Sequence, residues 1–103
     1  MLKKTAAIKT AKGFVQSCIN KGLHIKEAIL FGSYAKGEQR QYSDIDIALI
    51  SDDFTSNFIE NNHKTALINW QFPDVEVHHY NPVYFSKDLP LINEIKQTGI
   101  KIY

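Results

Sequence analysis

Cysteine occurs once in the 103 residues, as Cys18, so no internal disulfide can form and no Cys/His cluster offers a structural zinc site. A reducing compartment, the cytoplasm, is the expected setting. No apolar run approaches the roughly 18 residues that span a bilayer, which excludes a membrane-spanning helix. Neither charge sign is in excess: twelve Lys plus Arg against eleven Asp plus Glu leave a net charge of +1. A protein that grips long stretches of nucleic acid needs a basic surplus, and this chain has none. Only three prolines and five glycines punctuate the sequence, with no repeat, low-complexity tract or linker. Residues 1–103 are therefore expected to form one domain, and the 44% hydrophobic content suffices for one core.

Acidic residues are missing before Glu27, while lysines stand at 3, 4, 9 and 12. Charge alone would permit an organelle transit peptide. No apolar block follows the lysines, so a secretory signal is not expected. The segment instead carries a helical stripe of Ile8, Ala11, Val15 and Ile19, widened by Phe14 and Cys18, with the lysines on the wet face. Gly22 supplies the left-handed residue that ends a helix spanning about 4–21.

The apolar run Glu27 to Phe31, closed by Gly32, predicts a buried strand. Ser33 to Lys36 predicts one helical turn stopped by Gly37, and Glu38 to Ser43 a polar return loop. Ile45 to Ile50 is the strongest strand signal. Ile59, His63, Ala66, Leu67 and Trp70 share one face of a helix over about 56–70, which predicts that this face turns inward. Pro73 stops the helix, and residues 74–80 alternate as a half-buried strand. Asn81-Pro82 marks a turn. A last helix begins at Pro90, with Leu91, Ile92 and Ile95 inward and Gly99 at its end. Residues 100–103 suit a short final strand. The order α-β-β-α-β-α, with a possible terminal β, predicts an α/β fold: a mixed sheet flanked by helices.

The chemistry is concentrated in three places. Asp44 and Asp46, two apart, project from the same face of a strand. Like charges that close are costly unless a cation lies between them, and oxygen ligands favour magnesium or manganese. Gly32 lets backbone approach a ligand, and the turn after it presents free N–H groups to phosphate. Ser33 adds a hydroxyl and Lys36 a charge for a triphosphate tail. An antiparallel pairing of the first two strands would bring the end at Phe31 beside the start at Asp44. The following crossover should return the third strand parallel, with Glu76 level with the aspartates. Three carboxylates facing a phosphate-binding turn suit two-metal phosphoryl chemistry.

Gly32-Ser33, ten residues, Asp44-Ile45-Asp46, with Glu76 on a later strand, resembles the signature of the DNA polymerase β-like nucleotidyltransferase superfamily. More closely, the chain is similar to the minimal nucleotidyltransferase (MNT) antitoxins that pair with HEPN-domain toxins. The resemblance implies a palm-like sheet, two magnesium ions held by Asp44, Asp46 and Glu76, and phosphate contacts from Gly32, Ser33 and Lys36. It also implies transfer of AMP from ATP to a tyrosine hydroxyl of a HEPN RNase, within a hetero-oligomer with that toxin. Many members carry Arg where this chain has Tyr34 or Lys36, so phosphate contacts are expected to differ here.

Less specific readings compete at several positions. Asp44 could cap a turn with Ser43. His78 shares the strand face of Glu76 and could reach a metal or phosphate, although a surface histidine is the more ordinary role. His63 reads as a core-edge residue, Cys18 as a small buried apolar group. Trp70, Tyr80, Tyr84 and Phe85 read as core or partner surface. Among functions, a binding-only antitoxin is the main competitor. A small-molecule nucleotidyltransferase would need an acceptor-binding domain that 103 residues cannot hold, and a templated polymerase would need far more.

Overall fold

The computed structural model describes residues 3–103 and contains nine elements. Helix α1 spans Lys4–Asn20, strand β1 Ile25–Phe31, and the single-turn helix α2 Ser33–Lys36. Strand β2 covers Ile45–Ser51, α3 Phe58–Gln71 and β3 Val75–Tyr80. A one-turn helix α4, Pro82–Phe85, precedes α5, Pro90–Thr98, and the two-residue strand β4, Ile100–Lys101. The α/β class and the mixed sheet are as expected. The unforeseen α4 starts where a turn is predicted. Pro82 occupies its first position, and the Asn81 side chain accepts from the Val83 and Tyr84 amides at 2.8 and 3.4 Å.

The sheet order is β3-β2-β1-β4. β1 runs antiparallel to β2 and β4, and β2 runs parallel to β3. Period-2 alternation sorts β2 into two faces. Ile45, Ile47 and Leu49 turn to α1 and α3 and join Phe14, Cys18, Leu30 and Ile68 in the larger core. Ala48 and Ile50 turn the other way, packing with Phe31, Tyr80, Phe85, Ile92 and Ile95 under α4 and α5. Asp46 belongs to this second face, at the end that α4 and α5 leave uncovered.

Helix α1 buries Ala7, Ala11, Phe14, Val15 and Cys18, with Ile8 and Ile19 at the margin of the core. Gly22 ends it with φ 98°, and the Leu23 amide reaches back to the Cys18 carbonyl, as expected of a left-handed cap. Gly99 serves differently from its predicted role. Its φ of −74° suits any residue, but a Cβ there would collide with Ile29 and the Ile95 carbonyl. α5 buries Ile92 and Ile95 and leaves Leu91 exposed.

The largest departure lies in α3. Its buried residues are Asn61, Thr65 and Ile68, while Ile59, His63, Ala66, Leu67 and Trp70 all face water. The inward side is held by polar bonds. The Asn61 amide group accepts from the Thr55 amide at 2.9 Å and donates to the Thr55 carbonyl at 2.8 Å. Thr65 Oγ1 sits 2.8 Å from His79 Nε2, and Asn69 donates to the Val75 carbonyl at 2.9 Å. Periodicity located the helix correctly, but the apolar side is not the inward one.

Candidate active site

The register brings the ends of three strands together. Phe31 lies opposite Asp46 across β1 and β2, and Asp46 lies opposite Glu76 across β2 and β3. The antiparallel and parallel pairings are those the chain order predicts. Immediately after Phe31, Gly32 adopts φ 74° and ψ −150°, a region that essentially only glycine enters. A Cβ on Gly32 would overlap the Asp46 carboxylate. The glycine thus does more than turn the chain: it lets the backbone lie directly against a carboxylate. Its sequence neighbours Ser33, Tyr34 and Ala35 begin α2, where first-turn amides lack intrahelical partners.

Asp46, Glu76 and His78 each offer a ligand atom, and these atoms all lie within 4.8 Å of one another. His78 Nε2 is 3.7 Å from Asp46 Oδ1 and 3.8 Å from Glu76 Oε1. It is buried and makes no hydrogen bond, while its ring packs edge-on against Phe31. Asp44 stands just before β2, exposed and outside this trio, but its charge still bears on Glu76. The Glu76 carboxyl is raised from its ordinary 4.5, first by desolvation and then by the negative charge of Asp46. His78 opposes the shift and Asp44 adds to it.

Clustered carboxylates with a buried, unpartnered imidazole nitrogen form a donor set that fits a divalent cation. Two oxygen donors suit magnesium, and the nitrogen also admits manganese. The sequence reading favours His78 as a surface residue; the fold turns it toward the acids, because positions 76 and 78 share a strand face. Lys36 goes elsewhere. Its amino group pairs with Glu94 of α5 at 3.2 Å and with Glu38 at 3.8 Å. Near the turn, Lys4 of α1 donates to the Ala35 carbonyl at 3.2 Å. A groove of about 490 Å³ lined by Thr55, Phe58, Asn61, His79, Asn81 and Tyr84 shares no residue with this corner.

A mixed sheet carrying a glycine-led turn against clustered acids is the frame of a phosphoryl- or nucleotidyl-transfer protein, and the acids fit a divalent cation. Residues 11–102 match the nucleotidyltransferase domain family, and the chain belongs to it: it is a nucleotidyltransferase. No curated protein matches it. Among solved structures, a candidate nucleotidyltransferase from Sulfolobus solfataricus is similar with a TM-score of 0.72 and 17% identity. That match covers 95% of this chain and 80% of the other. A toxin–antitoxin structure with AMP-PNP gives 0.64 at 22% identity, covering 89% and 72%. A mutant of the toxin–antitoxin MntA-HpeT gives 0.62 at 18% identity, covering 89% and 71%. At these identities the structural likeness speaks for the fold.

Proposed function

We propose that this chain is an MNT-type antitoxin that transfers AMP from ATP to a tyrosine hydroxyl of a cognate HEPN-domain RNase toxin. The observation that carries the nucleotidyl-transfer chemistry is the contact of Gly32 with Asp46, beside Glu76. It joins the phosphate-binding turn and the acidic cluster in one place. The toxin partner is supported by the similarity to two toxin–antitoxin structures, one of them holding AMP-PNP.

In this reading Asp44, Asp46 and Glu76 would hold magnesium, which would supply positive charge against the triphosphate and the departing pyrophosphate. The amides after Gly32 and the Ser33 hydroxyl orient the phosphates. The acceptor oxygen attacks the α-phosphorus of ATP, the bond to the β-phosphate oxygen breaks, and pyrophosphate leaves with that electron pair. Glu76, level with Asp46 at the start of its strand, accepts the hydroxyl proton. Lys36 reaches the triphosphate only by leaving Glu94, so its part in phosphate binding depends on a side-chain rearrangement.

The test is intact-mass analysis of the partner after incubation with the antitoxin, ATP and magnesium. One or more added AMP groups are expected, and Asp44→Asn with Asp46→Asn should abolish them. Continued transfer by that double variant would sink the site assignment. Full neutralisation of the toxin by the same inactive variant would instead make this a binding-only antitoxin. AMP appearing on a small molecule and never on the protein would move the acceptor class.

A further inference from the structure

The acidic corner holds a donor that the Gly-Ser and Asp-x-Asp pattern does not supply. The pattern points to Asp44, Asp46 and Glu76, yet the three side chains whose ligand atoms converge are Asp46, Glu76 and His78. Asp44 stands exposed just before β2. His78 reaches the acids because it follows Glu76 by two positions on β3 and so shares its strand face. The Phe31 ring packs edge-on against the imidazole, with centroids 4.9 Å apart, and fixes where it lies.

The imidazole nitrogen at the corner has no partner of its own. Nε2 is shut off from water and makes no hydrogen bond. The carboxylate oxygens of Asp46 and Glu76, at 3.7 and 3.8 Å, are too distant for one. Among the described residues no Lys or Arg forms an ion pair with either acid; the lysines near them in sequence pair elsewhere. A nitrogen without a partner and two carboxylates without a cation have one remedy in common, a divalent ion that takes a lone pair from each. Bonds of about 2.1 Å put neighbouring donors of an octahedral ion about 3 Å apart and opposite ones about 4 Å apart. The observed 3.7 and 3.8 Å fall between these spacings, so small side-chain shifts complete the set.

The mixed donor set bears on which ion is held. Magnesium is satisfied by oxygen, dehydrates reluctantly and gains little from an imidazole. Imidazole suits first-row transition ions, among which manganese also keeps the octahedral, oxygen-rich surroundings that a triphosphate offers. We infer that His78 is a direct metal ligand and makes this corner prefer manganese to magnesium; this rests on the nucleotidyl-transfer reading of the corner. Three protein donors leave half of an octahedral shell for phosphate oxygens. Magnesium can still serve through the carboxylates alone, but it gains nothing from His78.

Electron paramagnetic resonance of manganese titrated into the full chain, without nucleotide, counts the bound ion, and added magnesium gives the ratio of affinities. Manganese should bind the wild-type chain more tightly than magnesium. Losing even an outer-shell partner of a metal ligand costs about 10–100-fold in affinity, so His78→Gln should weaken manganese by at least about tenfold. Magnesium affinity should barely change. Spin-echo modulation of the bound manganese should show a directly coordinated imidazole nitrogen, absent from His78→Gln. That signal is read on the wild-type chain and needs no variant to fold. Asp46→Asn should release the ion.

Manganese bound at the corner without nitrogen coupling overturns the assignment of His78 and leaves the nucleotidyl-transfer reading standing. So does a manganese-to-magnesium ratio that His78→Gln leaves unchanged. A nitrogen-coupled ion that Asp46→Asn holds with undiminished affinity lies elsewhere, and overturns it too. A wild-type chain that takes up no manganese also overturns it, and AMP transfer with ATP and magnesium then decides the nucleotidyl-transfer reading separately.

Discussion

The acidic corner at the start of β2 and the outward face of α3 lie on opposite sides of the sheet, and each leaves a physical requirement unmet. At the corner, Asp46 and Glu76 crowd like charges beside an imidazole nitrogen without a hydrogen bond. On α3, large apolar side chains stand in water. The first deficit is electrostatic and short-ranged, and a small cation or a phosphate-bearing ligand repairs it. The second scales with area, so only another macromolecular surface repairs it. The difference separates a reaction site from an assembly site without reference to any bound molecule.

The strongest way to break the corner while sparing the helix is Gly32→Ala. The added methyl overlaps the Asp46 carboxylate, and the backbone at φ 74° and ψ −150° disfavours any side chain. Strain of this kind costs about 1–3 kcal/mol, and displacing a reacting group by 1 Å can cost about 10²-fold in rate. We expect transfer to fall about 10²-fold or more with the fold retained. Thermal melting and an AMP-transfer assay of one preparation check both. Near-wild-type transfer would show that the Gly32–Asp46 approach is not needed for catalysis.

The corner was legible in the sequence because its information is local and chemical. Gly32-Ser33 and Asp44-x-Asp46 have fixed spacing, and strand order alone places Glu76 beside them. His78 was legible only as a shared strand face. The Phe31 ring that packs edge-on against it arrives from another strand. Lys36 looked like a phosphate ligand because nothing nearby in sequence shows Glu94, 58 residues away, as its partner. The α3 face was misread for a different reason. An apolar stripe says that a surface must be covered, but not whether the cover comes from the same chain. Asn61, Thr65 and Asn69 could be recognised as the inward side only once their backbone and histidine partners were in place.

Helix α3 itself sharpens the comparison, because its two faces should respond oppositely to substitution. Asn61→Ala removes the acceptor for the Thr55 amide and the donor for the Thr55 carbonyl. Losing the two bonds costs about 1–3 kcal/mol, at about 0.5–1.5 kcal/mol for each. At about 4–8 °C per kcal/mol for a domain of this size, the melting temperature should drop by several degrees. Leu67→Glu on the outward face should change monomer stability by no more than about 0.5 kcal/mol. Chemical denaturation of the two variants separates them. A larger loss from Leu67→Glu than from Asn61→Ala would mean that the apolar face packs within its own chain.

The smallest expected effect is a pH dependence at the corner, and its sign can be worked out. Glu76 has a raised carboxyl, so above the ordinary 4.5 the folded chain binds more protons at this group than the unfolded chain does. Its contribution to stability is complete below that value and is lost as pH rises through the folded pKa. His79 acts oppositely in an overlapping window. Burial lowers it from 6.5 to about 4, so stability grows as pH rises between those values. Glu76→Gln should therefore steepen the rise of stability with pH above 4.5 and leave the neutral apo protein slightly more stable. Because Glu76 is more than half exposed, screening should hold the gain below about 1 kcal/mol. Magnesium or manganese should produce the same sign in the wild-type chain, by satisfying the carboxylates that the substitution removes. Denaturation curves from pH 4 to 8, with and without the cation, test both. If Glu76→Gln destabilises the apo protein at neutral pH, the carboxylate is already compensated by the fold itself, and the contrast between an unmet charge and an unmet apolar surface loses its first half.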